Sequence, residues 1–138
     1  MSLRPAFILL AFILFSCSKD NEDRIPDVYV NYQVTLQEFN IKSVNGLLLV
    51  NKGSNTGVAG LIIYRKANND YVAFDRCSSV NPQQQCAVVP DDPNLTATDP
   101  CSGAKFSMYD GGPVKAPAKR GLKEYHVIIS NFTLAVTN

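Results

Sequence analysis

The stretch GLIIYRKANNDYVAFDR, Gly60 to Arg76, decides the fold class. Two β-rich runs, Leu61 to Arg65 and Tyr71 to Phe74, flank KANND, whose lysine, asparagines and aspartate have the chemistry of a hairpin turn. KFSMYDGGPVKAP repeats the design. Lys105 to Tyr109 leads into Asp110-Gly111-Gly112, residues that readily supply positive φ, and then into a return strand. Upstream, VYVNYQVTL (Val28 to Leu36) alternates apolar and polar residues as a half-buried strand does, and GLLLVN (Gly46 to Asn51) reads as a short strand covered on both faces. KGSNTGVAG is loop by composition. LKEYHVIIS and FTLAVT close the chain as two further strands. Beyond the N-terminal leader no segment carries a long 3.6-residue apolar period, so helix should be scarce. Seven or eight short strands at close spacing make an all-β domain, a small antiparallel sandwich or barrel with long loops between its hairpins.

The chain has 138 residues, 46% hydrophobic and 18% charged, with a formal charge of +1. That suits one small globular domain. The basic residues are dispersed and near-neutral charge leaves no electrostatic footprint for nucleic acid, so DNA and RNA are set aside as partners. Arg4 precedes an apolar run from Ala6 to Phe15, followed by Ser16, Cys17 and a polar segment. The run is shorter than the about 20 residues of a transmembrane helix and has the form of a signal peptide. LFSC resembles a bacterial lipobox, which implies lipidation of Cys17. The expected organisation is a signal peptide over residues 1–16, a lipidated tether over 17–27 and a β domain over 28–138. Acyl chains on Cys17 would anchor the protein to a membrane of the cell envelope, at about 0.8 kcal/mol per buried CH2.

Cys77, Cys86 and Cys101 lie in the folded part. Under the oxidising conditions of export, one disulfide and one spare thiol are expected. No C-x2-C pair seeds a zinc site. Arg76 to Pro100 is the one long stretch without strand character, and Pro82, Pro90, Pro93 and Pro100 stiffen it against helix.

GLIIYRKANNDYVAFDRCSS followed by DPCSGAKFSMYDGGPVKAPAKRGLKEYHV resembles the Rieske iron–sulfur domain. That family reads C-x-H-x-G-C and later C-P-C-H-G-S-x-F, then a D-G turn, a P-A pair and a leucine. The resemblance covers about Gly60 to Val127 and extends to Rieske-like lipoproteins of Bacteroidetes-type bacteria. It implies a [2Fe–2S] centre bound by two cysteine thiolates and two histidine imidazoles. Carried over residue by residue, the ligand positions fall on Cys77, Ser79, Asp99 and Ser102, so only Cys77 keeps its ligand type. The single histidine, His126, lies in the closing strand EYHVII. The resemblance further implies that the additional cysteine of each loop pairs with its counterpart, which gives Cys86–Cys101, with Cys77–Cys101 as the rival pairing. The expected molecule is therefore a cluster-free, Rieske-like envelope lipoprotein acting as a binding or structural module, its protein partner undefined. The alternative is a [2Fe–2S] electron-transfer protein or a subunit of an oxidoreductase complex.

Other chemistry finds less support. A lone strand histidine such as His126 is an exposed or satisfied side chain more often than a catalytic base, and pairing it with Cys77 would need an orienting group the sequence does not offer. Asp91, Asp92 and Asp99 match no calcium-loop spacing and read as a solvated loop.

Overall fold

The computed structural model describes residues 24–138. The leader, Cys17 and most of the tether lie outside the described residues. Among the described residues, ten strands form two antiparallel sheets. They run β1 (Asn31–Thr35), β2 (Leu47–Val50), β3 (Leu61–Arg65), β4 (Tyr71–Asp75), β5 (Val89–Pro90), β6 (Thr96–Thr98), β7 (Lys105–Ser107), β8 (Pro113–Lys115), β9 (Glu124–Ser130) and β10 (Thr133–Thr137). The larger sheet has the order β1-β10-β9-β4-β3-β2 and the smaller β5-β6-β7-β8.

The β3–β4 hairpin is the spine because its residues serve two cores. Successive side chains of a strand point to opposite faces. Leu61, Ile63 and Ala73 enter one core with Val30, Val34, Phe39, Leu134 and Val136. Ile62, Val72 and Phe74 enter a second, where Ala97 and Phe106 of the small sheet and the adjoining Val88 and Met108 meet them. Continuous apolar runs in this hairpin thus reflect burial on both sides. The turn closes through Lys66 N–H to the Asp70 carbonyl at 2.7 Å, with Asn69 at φ 62°.

Gly111 is fixed by two constraints. Its φ is 72°, and an added Cβ would stand 2.7 Å from the Phe74 ring. The D-G turn between β7 and β8 therefore packs directly onto the second core. Gly112 N–H donates to Asp110 Oδ1 at 2.8 Å and completes it.

Several sequence expectations need correction. The strand expected over Val28 to Leu36 is β1 from Asn31 to Thr35, and Leu36 begins a helix, α1 (Leu36–Lys42). Thr35 caps it, its hydroxyl accepting from Glu38 N–H at 3.0 Å, and Phe39 is its buried anchor, edge-on to Tyr71 with ring centroids 5.2 Å apart. Strand β2 is covered on both faces as expected over its first two residues, Leu47 in the second core and Leu48 in the first, but Leu49 is exposed. The strand expected through Tyr109 ends at Ser107. The stretch from Arg76 to Pro100 does contain strands, β5 and β6, and a single 3-10 turn at Pro82–Gln84. Asp91 organises that region, accepting from Thr96 Oγ1 at 2.7 Å, Thr98 Oγ1 at 2.8 Å and Lys105 Nζ at 3.1 Å.

Candidate functional site

Two loops meet at one end of the sheets. The first leaves β4 at Asp75 and returns through an antiparallel bridge between Cys77 and Ala87. Ser78 N–H donates to the Cys86 carbonyl at 2.8 Å, and Val88 N–H to the Arg76 carbonyl at 2.7 Å. The second is a tight turn after β6. Gly103 N–H donates to the Asp99 carbonyl and Asp99 N–H to the Ala104 carbonyl, both at 2.8 Å, with Gly103 at φ 77°. A Cys86–Cys101 disulfide joins the loops across a Cα separation of 6.4 Å. Among the described residues Cys77 is the free cysteine, so the rival Cys77–Cys101 pairing is not the one formed.

The four positions to which the Rieske resemblance assigns ligands come together at this junction. Cys77 and Asp99 are fully buried. Ser79 and Ser102 sit further out and line one open cavity of about 470 Å³ with Asn81, Lys119 and Arg120. Each position is engaged by the protein. Ser79 Oγ donates to the Arg120 carbonyl at 2.7 Å. Ser102 Oγ donates to Asp99 Oδ2 at 2.6 Å and accepts from Ala104 N–H at 3.2 Å. Asp99 Oδ1 accepts from Cys101 N–H at 2.8 Å. The Cys77 thiol points at the carbonyls of Ser78 and Pro82, 3.6 and 3.5 Å away. Burial, with the nearby charges of Asp75 and Asp99 adding to it, pushes that thiol up to about 12. A cysteine binds metal as thiolate, so this environment works against Cys77 as a ligand.

Beneath the loops lies a residue that the sequence did not single out. Asp75, fully buried at the end of β4, accepts four hydrogen bonds. Val58 N–H and Tyr125 O–H reach Oδ2 at 2.6 and 2.7 Å, and Cys77 N–H and Ala59 N–H reach Oδ1 at 2.8 and 3.1 Å. One carboxylate thereby ties the loop before β3, the first cysteine loop and β9. Gly57 lets the loop approach, since a Cβ there would stand 2.5 Å from Asp75 Oδ2. Burial and then the Asp75 hydrogen bond raise the Tyr125 pKa. Alternation in LKEYHVIIS could have shown Tyr125 pointing inward, but nothing local marks its partner 50 residues away.

His126 is not part of this junction's lining. It is exposed on β9 and registers with Thr137 of β10. Asp91, Asp92 and Asp99 do not converge as a calcium loop. Asp91 is taken up by Thr96, Thr98 and Lys105, Asp92 is exposed and Asp99 is buried at the junction. Desolvation pushes the Asp91 carboxyl up, but the hydrogen bonds from Thr96, Thr98 and Lys105 and the Lys105 charge outweigh it, leaving the group below its ordinary value.

Two antiparallel sheets carrying paired loops joined by a disulfide define a Rieske-like all-β fold. Solved structures place the chain there. It is similar to the cyanobacterial plasma membrane Rieske protein PetC3 from Synechocystis PCC 6803, with a TM-score of 0.56 and 24% identity over 81% of this chain and 100% of that one. The ferredoxin of carbazole 1,9a-dioxygenase from Nocardioides aromaticivorans IC177 matches with a TM-score of 0.51 and 14% identity, over 80% of this chain and 97% of that one. The Sphingomonas yanoikuyae B1 ferredoxin matches with a TM-score of 0.52 and 13% identity, over 82% of this chain and 99% of that one. At these identities the likeness is one of fold. No family model matches the sequence, and no curated protein matches it.

Proposed function

We propose that this protein is a cluster-free Rieske-fold module of the cell envelope, held at a membrane by lipid on Cys17 and serving as a binding or structural part. The observation that carries the reading is the chemistry of the four ligand positions. A [2Fe–2S] centre of this type needs two thiolates and two imidazoles. Cys77, Ser79, Asp99 and Ser102 offer one buried thiol, two hydroxyls and a carboxylate, and that set does not fit the group. The two serine hydroxyls are also engaged by hydrogen bonds within the loops. Cys86 and Cys101, the remaining thiols of the described residues, are spent on each other.

The disulfide performs mechanically what a shared cluster would do, clamping one loop to the other. Envelope placement rests on the Arg4, Ala6–Phe15 and LFSC pattern of the leader. The names of the similar structures, a Rieske protein and ferredoxins, favour the competing reading of an electron carrier. An absorption spectrum of aerobically purified protein separates the two. A folded, colourless protein is expected, whereas visible bands of an iron–sulfur centre would establish the carrier. Labelling with a radioactive or alkyne fatty acid, lost in Cys17→Ala, tests the anchor.

A further inference from the structure

The corner where the loops are clamped gathers three metal-ligating side chains. Asp99, Cys86 and Cys101 each present one ligand atom, and the three atoms lie within 4.8 Å of one another. A tetrahedral ion with metal–sulfur bonds of about 2.3 Å and metal–oxygen bonds of about 2.0–2.2 Å spaces its ligand atoms roughly 3.6–3.8 Å apart. With the sulfur–sulfur bond opened, the trio would start within 4.8 Å, close to that spacing.

The carboxylate is already prepared. Asp99 is fully buried, and among the described residues it has no ion pair. Cys101 N–H fixes one of its oxygens and Ser102 O–H the other. Each oxygen keeps a lone pair free, since a carboxylate offers about four acceptor sites. Such hydrogen bonds from surrounding groups orient ligating carboxylates. Access is graded: Cys101 is exposed and Cys86 half-buried, so a reductant reaches the bridge from solvent while Asp99 stays inside.

We propose that reduction of the Cys86–Cys101 bridge converts this corner into a mononuclear site for a thiophilic divalent cation of the Zn2+ class, bound by both sulfurs and Asp99, with water as fourth ligand. A dithiol donor supplies two electrons and two protons, breaks the sulfur–sulfur bond and is itself oxidised to a disulfide. Metal entry then releases the two thiol protons. Cys77 stays outside the set, its thiol turned to the Ser78 and Pro82 carbonyls. The inference goes beyond the cluster-free reading and does not depend on it: iron in the oxidised protein would overturn that reading, whereas this site exists only after reduction.

The test uses full-length protein reduced with a phosphine, desalted under nitrogen and titrated with Co2+, then with competing Zn2+. One equivalent of Co2+ should produce thiolate-to-cobalt charge-transfer absorption, bleached by Zn2+ and absent from the oxidised protein. Cys86→Ser and Cys101→Ser should each abolish the band. Asp99→Asn, nearly isosteric, should weaken binding at least tenfold, and Cys77→Ala should leave it unchanged. If reduction alone loosens the fold, Zn2+ should restore the near-ultraviolet circular dichroism. Absence of the band and of that restoration, unchanged affinity in Asp99→Asn, or loss of binding in a folded Cys77→Ala protein would each overturn the proposal.

Discussion

Replacing Asp75 with asparagine tests how the loop junction is supported. The carboxylate accepts from Val58, Ala59 and Cys77 N–H and from Tyr125 O–H, and every one of those partners is a donor. Asparagine has the same shape but one acceptor oxygen and two N–H donors. With its oxygen in the Oδ2 place it keeps Val58 and Tyr125, and its amino group then faces the Ala59 and Cys77 N–H groups. Two buried donors lose their acceptor, at about 1–3 kcal/mol each, so Asp75→Asn should destabilise by roughly 2–6 kcal/mol. Against a typical total of about 5–15 kcal/mol, that is a large fraction of the fold's stability. Tyr125→Phe removes a single bond to the carboxylate and should cost about 1.5–3 kcal/mol. Urea unfolding of both variants with the disulfide intact gives the comparison, read as a change in midpoint at constant slope. A loss below about 1 kcal/mol for Asp75→Asn would refute the claim that Asp75 organises the junction.

Further outcomes follow from the same contacts. Cys101→Ser removes a bridge between residues 15 apart and should cost about 3 kcal/mol in the chain-entropy description, measured by denaturant unfolding. Gly111→Ala combines a left-handed backbone with a Cβ at 2.7 Å from Phe74 and should cost about 2–5 kcal/mol, seen as a lowered midpoint. Folding raises the Cys77 and Tyr125 pKa values, so the native state holds protons that the unfolded chain gives up. Stability from Cys77 is complete below about pH 9 and is lost as pH rises toward about 12; Tyr125 extends the decline upward from about pH 10. Urea midpoints taken across that range should fall with pH, and Cys77→Ala should flatten the early part of the fall.

Hairpins written in local chemistry were legible. KANND between two β-rich runs and DGG before PVK each named a turn, and the structure has both. The loop-to-loop disulfide came from the family resemblance rather than from spacing, because loop sequence alone left Cys77 and Cys86 as rival partners for Cys101. Helix α1 went unread although Thr35-Leu36-Gln37-Glu38 carries a capping signal. At seven residues it is too short to show a period, and its hold is tertiary, through Phe39. Strands β5 and β6 were hidden by the prolines around them, since side-chain bonds to Asp91 rather than strand propensity shape that region. Asp75 was invisible for the same reason: its partners Val58 and Tyr125 lie 17 and 50 residues away, and only the fold assembles them.

In the proposed cluster-free reading, the fold persists here without iron–sulfur chemistry. Iron stoichiometry after anaerobic reconstitution with ferrous iron and sulfide tests it most directly, because reconstitution removes loss of a labile cluster as an explanation for a colourless protein. Negligible bound iron is expected in a folded chain with Cys86 and Cys101 still joined. Two irons per chain, with an electron paramagnetic resonance signal appearing on reduction, would contradict it.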